Sequence, residues 1–73
     1  MTAASALTIR TGPGWSARID GDRMVLTVDY KDEKALPDFL ADLDSWSSSY
    51  AWSGYYLGDD RNGFEIWDFE YDG

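Results

Sequence analysis

Apolar and polar residues alternate from the start of the chain. In residues 6–11, Leu7 and Ile9 are separated by Thr8 and Arg10, a period of two that predicts a strand. Gly12-Pro13-Gly14 predicts a turn. The alternation resumes over residues 15–19, with Trp15, Ala17 and Ile19 on one face. It stops at Asp20-Gly21-Asp22, where Asp-Gly is a hairpin signal. Residues 23–30 predict a third strand with Met24, Leu26, Val28 and Tyr30 on one face. Three strands joined by two short turns make a meander.

The period then changes. After the charged stretch 31–34, Leu36, Phe39, Leu40, Leu43 and Trp46 recur at helical spacing. Pro37 suits a first helical turn, and Asp38 suits the positive end of the helix dipole. Asp32 is a competing N-cap, and Ser47-Ser48-Ser49 is expected to end the helix. Residues 50–57 and 64–71 are rich in aromatics and flank Gly58-Asp59-Asp60-Arg61-Asn62-Gly63, which predicts a second hairpin.

Two registers compete in that hairpin. Taking the whole hexapeptide as loop pairs Leu57 with Phe64 and Gly54 with Trp67. A tight Asn62-Gly63 turn sets Asp60 opposite Glu65, and like charges facing each other across strands destabilise. The longer loop is therefore expected. It places Tyr50, Trp52, Tyr56, Trp67, Phe69, Tyr71 and Glu65 on one face, and Ala51, Ser53, Tyr55, Leu57, Phe64, Ile66, Asp68 and Glu70 on the other. The order β-β-β-α-β-β predicts an α+β fold: an antiparallel sheet of about five strands with one helix packed on one face. Residues 1–73 read as a single small domain.

Size limits what such a domain can do. A chain of 73 residues buries only about 60 % of its unfolded surface, so its core is thin and leaves little room for an internal active site. Hydrophobic residues make up 44 %, enough to fold. The absence of Cys and His removes disulfides, Cys/His zinc sites, cysteine nucleophiles and His-dependent triads. The four Trp and three Phe must then build the core, or a partner must help. The start has no basic or long apolar region, and no apolar run approaches the ~20 residues that span a bilayer. A cytoplasmic location is expected.

Charge sharpens the picture. Residues 1–31 carry four basic and three acidic groups, whereas residues 32–73 carry two basic and eleven acidic groups. The acidic half also holds ten of the twelve aromatics. A net charge of −8 and a pI near 4.1 oppose direct binding to nucleic acid or to an anionic membrane, both of which need a positive protein surface. Asp59, Asp60, Glu65, Asp68, Glu70 and Asp72 crowd the second hairpin. Alternate residues on one strand face lie ~6.6 Å apart, about half the charge density of one DNA strand. A duplex-like surface therefore needs a second acidic row, for which Asp38 and Asp42, expected together on the solvent face of the helix, are candidates with Asp44. Such crowding repels itself and opposes folding, a cost that a basic partner offsets. Trp52, Tyr55, Tyr56 and Trp67 are candidate anchors, since Tyr and Trp dominate interface hot spots. Most aromatics of this hairpin are expected in the core, with at least two tyrosines exposed.

Motifs for other chemistries fail. With Gly63 at the sixth position of a calcium loop, the first position is Gly58 and the twelfth Phe69, neither of them a ligand type for those places. Gly12-Pro13-Gly14-Trp15 lacks the Lys-Ser/Thr of a phosphate loop. Asp68 and Glu70 lack the cleft that glycosidase carboxylates need. The sequence thus predicts a non-catalytic protein without metal or cofactor.

In size, acidity and lack of catalytic residues, the chain resembles the small anti-defence proteins of phages, including anti-CRISPR and anti-restriction inhibitors. The likeness is one of composition over the whole chain and involves no motif. It implies a DNA-mimicking protein inhibitor whose partner is a larger basic, nucleic-acid-handling protein of the host. Three alternatives stay open: an immunity protein or antitoxin against a nuclease, an aromatic platform for carbohydrate, and a structural subunit of an assembly. Homodimerisation through the aromatic face is also open.

Overall fold

A computed structural model of the chain describes residues 7–73. Ala6, expected in the first strand, and the start of the chain lie outside the described residues. Five strands form one antiparallel sheet: β1 (Leu7–Gly12), β2 (Trp15–Asp20), β3 (Arg23–Asp29), β4 (Trp52–Asp59) and β5 (Phe64–Tyr71). Helix α1 (Ala35–Trp46) and a short 3-10 turn (Ser49–Ala51) connect β3 to β4. The spatial order is β1-β2-β3-β5-β4, so β5 enters beside β3 and β4 becomes an edge. The α+β class and the order β-β-β-α-β-β are those the periodicity predicts.

The register divides the sheet cleanly into two faces. One rung on the helix side runs Thr8–Ile19–Met24–Phe69–Gly54, and the next runs Arg10–Ala17–Leu26–Trp67–Tyr56. Trp15, Ala17, Ile19, Met24, Leu26 and Val28 are all buried here, against Ala35, Phe39 and Leu43 of α1. Those helix residues are spaced i, i+4, i+8 and form one stripe, while Leu36 and Leu40 flank it, partly buried. Trp15 and Phe39 meet edge to face at 5.3 Å, and Phe39 reaches β5 through Phe69 at 5.7 Å. On the opposite face, Ile9–Arg18–Val25–Asp68–Tyr55 form a rung with no layer over it among the described residues.

The helix begins without a side-chain cap at Lys34. Asp32 acts one step earlier: its carboxylate accepts from Lys34 N at 3.0 Å and its carbonyl from Ala35 N at 3.1 Å. This Asx turn aims the chain into the helix. The expected ending holds, since α1 stops at Trp46 and Ser47 is its C-cap. Tyr30 falls just beyond β3 and Tyr50 lies in the 3-10 turn, both exposed, so neither joins the strand face expected for it.

The register of the second hairpin differs from the expected one. Gly54 lies opposite Phe69 rather than Trp67, and Tyr56 lies opposite Trp67. The loop is shorter than the hexapeptide: Asp60 and Phe64 close it through Asp60 N to Phe64 O at 2.8 Å. Gly63 sits at φ +84°, the left-handed position that ends a three-residue hairpin loop. The Asp60 carboxylate accepts from Asn62 N at 2.7 Å and Phe64 N at 3.0 Å, which fixes the loop. A bulge at Tyr56/Gly58 then sets Asp59 opposite Glu65. A like-charge pair forms after all, because the loop bonds and the tilted ring contact of Tyr56 with Trp67, 5.4 Å between centroids, outweigh it. The Phe69 ring covers Gly54, and a Cβ there would stand 2.5 Å from the ring.

Candidate acidic-aromatic interface

The residues expected at a binding surface fall in five places. Trp52, Tyr56, Asp59, Glu65 and Trp67 lie on the helix side of the hairpin, and Tyr55, Asp68 and Glu70 on its open side. Asp60 and Asp72 lie in the loop and the C-terminal tail. Asp38 and Asp42 lie on α1, above β1 and β2 at the other end of the sheet.

The helix carboxylates therefore do not form a second row beside the hairpin. Asp38 is exposed and Asp42 half-buried, but neither carboxylate is free, because both are hydrogen-bonded to side chains of the sheet. Asp38 accepts the Trp15 indole N–H at 2.8 Å. Asp42 takes Arg10 in a two-pronged ion pair, Nε at 2.7 Å and Nη2 at 2.9 Å, and also accepts from Trp46 Nε1 at 3.2 Å. Arg10 lies over the Trp46 ring, 5.5 Å from its centroid. The hydrogen bond from Arg10 holds the Asp42 carboxyl below its ordinary value of 3.8. Asp44 accepts from Ser49 N at 2.7 Å and so fastens the helix end to the 3-10 turn.

The hairpin carboxylates are partly neutralised too. Asp68 pairs with Arg23 of β3 at 2.7 Å, and Glu70 lies opposite Arg23 in the register. A depression of about 290 Å³ on the open face is lined by Leu7, Arg18, Arg23, Val25 and Asp68, so this face mixes both signs. Asp72 accepts from the Ser53 hydroxyl while Asp72 N donates to Ala51 O at 2.7 Å, which ties down the tail. Two of the eleven carboxylates of residues 32–73 are thus paired with arginines of the near-neutral half. Arg10 meets Asp42 and Arg23 meets Asp68 across 32 and 45 residues of chain.

Four of the six exposed aromatics lie on the 3-10 turn, β4 and β5, the other two being Tyr30 and Trp46. Tyr50 is 98 % exposed, Tyr55 58 %, Tyr56 50 % and Tyr71 45 %. Glu65 and Glu70 have no hydrogen-bond or ion-pair partner among the described residues. Asp59 receives only the Tyr56 hydroxyl among the described residues, a bond that pushes the Tyr56 phenol up to about 12. Trp52 and Trp67 are not free anchors. Trp52 is buried in the core, donating to Ser47 Oγ at 3.1 Å, and Trp67 stacks on Phe69 and meets Tyr56 at a tilt of 53°. Rings step outward from Phe39 through Phe69 and Trp67 to Tyr56, so the exposed tyrosine rests on a rigid aromatic base. The sequence did not single out Tyr50 or Tyr71 as contact residues. Their position beside a sheet edge was the missing signal, and strand order is not a local property.

Asp59 and Asp60 do not converge on a cation, since each oxygen shown engaged serves the hairpin itself. No helix among the described residues is long and apolar enough to cross a membrane. Comparison with family models, curated proteins and solved structures returned no match, so geometry and charge carry the functional reading.

Proposed function

We propose that this chain is a non-catalytic binding protein that docks the tyrosine-bearing, acidic β4–β5 hairpin on a basic surface of a larger protein. The supporting observation is that four exposed tyrosines and three carboxylates without an ion-pair partner among the described residues, Asp59, Glu65 and Glu70, lie on the two faces of the β4–β5 hairpin and in the turn before it. Between Trp52 and Gly73 there are six carboxylates and a single arginine, Arg61. Such a surface complements the basic site of a nucleic-acid-binding protein. Charge would set orientation and speed of encounter, and the tyrosines would hold the complex. Occupying that site makes the chain an inhibitor. The mimicry is confined to the hairpin, because the helix carboxylates serve the fold.

The test is capture from nuclease-treated bacterial lysate with a tagged chain, washed at low and high salt. The expected result is a basic, nucleic-acid-binding protein that high salt releases. A partner that resists high salt and has no basic site contradicts the proposal.

A further inference from the structure

The sheet has two edges, and they are finished differently. On β1, Arg10 lies across the helix side of the edge, pinned by Asp42 and stacked on Trp46. On β4, the only strand neighbour among the described residues is β5, and the flanking side chains are the half-exposed Tyr55 and Tyr56, on opposite faces. Natural sheets blunt open edges with lysine, proline or a bulge. β4 has neither lysine nor proline. Its bulge at Tyr56/Gly58 leaves the run Trp52–Tyr56 regular; Trp52 N–H is taken by Ser49 O of the 3-10 turn, and the remaining outward N–H and C=O groups of the run have no strand to pair with among the described residues.

Resting on the reading of the hairpin as an acidic docking surface, we infer that the β4 edge binds an extended basic segment of the partner as a sixth strand. Main-chain hydrogen bonds along Trp52–Tyr56 would supply affinity, and alternate side chains of the added strand would fall on the two faces of the sheet. Lysine or arginine at those positions meets Tyr55 on one face and Tyr56 on the other, where a cation gains from the ring. Asp59 stands at one end of β4 and Asp72 beside the other, so positive charge is favoured along the whole edge. The same charges act against a second copy of the chain. Two β4 edges brought together would oppose acid to acid, with no lysine or arginine on either strand.

The experiment titrates the isotope-labelled chain with a blocked nonapeptide of alternating lysine and threonine. A second titration uses the same peptide with its central amide nitrogens methylated, which keeps the charge and removes the donors. Strand addition predicts slowed amide exchange in β4 with the first peptide. It also predicts at least about tenfold weaker binding of the methylated one, since several main-chain bonds are lost. Equal affinity for the two overturns strand addition and leaves the acidic-surface reading standing. Protection at β1 instead of β4 overturns it as well. So does absence of binding by the unmethylated peptide, in which case salt-dependent capture decides the acidic surface separately.

Discussion

In the meander, Trp15, Ala17, Ile19, Met24, Leu26 and Val28 all lie buried beneath α1. On the same side of the sheet, the second hairpin buries Trp52 and Phe69, while Tyr56 and Tyr71 stand about half in water. Both regions are alternating strands of one sheet. The difference is the roof. A helix is ~10 Å across and strands are ~4.8 Å apart, so one helix covers two or three strands and leaves the rest of a five-stranded sheet open. α1 contacts β1, β2 and β3, and it reaches β5 through Phe39 and Phe69. A period of two thus yields core where a second layer is present and an aromatic surface where it is not.

The sharpest break of this comparison is a pair of truncations read by urea unfolding. Phe39→Ala should cost about 3–5 kcal/mol, a large share of the roughly 4–11 kcal/mol expected of a chain this size. Tyr55→Ala should cost less than about 1 kcal/mol, as exposed sites do. Similar losses at the two sites would mean that the hairpin is core after all.

Tryptophan sharpens it next. Trp15 Nε1 donates to Asp38, whereas Trp67 Nε1 is buried with no partner among the described residues. Replacing each with Phe removes similar volume but breaks a hydrogen bond only at Trp15. Trp15→Phe should therefore be the more destabilising by about 1 kcal/mol, measured by thermal melting. The reverse order would place a missed acceptor beside Trp67.

The Tyr56–Asp59 bond gives a spectroscopic mark on the hairpin. With its phenol raised to about 12 by that bond, Tyr56 should ionise near that pH in an absorbance titration, and Asp59→Asn should return it toward 10. Because the folded value is raised, the contribution to stability is complete below pH 10 and disappears as pH rises through about 12. A Tyr56 that titrates normally in the unsubstituted chain would show that the bond does not form in solution.

The smallest effect has an unusual sign. Asp59 and Glu65 face each other across β4 and β5. Glu65→Gln should raise stability by about 0.5 kcal/mol by relieving that repulsion. If this residue serves binding, the same change weakens partner capture, so stability and function move in opposite directions. A loss of stability would instead give Glu65 a structural role.

Element order was legible in the sequence because periods of two and 3.6 are local. The faces of the second hairpin were legible as well: the observed register differs from the expected one by two residues, which keeps every strand residue before the bulge on its side. The register itself was not. It depends on the bulge at Gly58 and on the bonds of Asp60 to Asn62 N and Phe64 N, whereas the expectation weighed only a repulsion between Asp60 and Glu65; the pair that forms is Asp59 with Glu65. The acidic half of the chain misled for a different reason. Asp42 and Asp68 find Arg10 and Arg23 only when β1 comes under α1 and β3 pairs with β5. Asymmetry along a chain is not asymmetry in space.

The most direct test of the docking surface compares two variants in the same capture from nuclease-treated lysate. One carries Asp59→Lys, Glu65→Lys and Tyr55→Ser on the hairpin; the other carries Ile9→Ser and Val25→Ser on the open face of the meander. Loss of the basic partner by the hairpin variant alone is the predicted result. Retention by the hairpin variant together with loss by the meander variant would move the binding surface to the other half of the molecule.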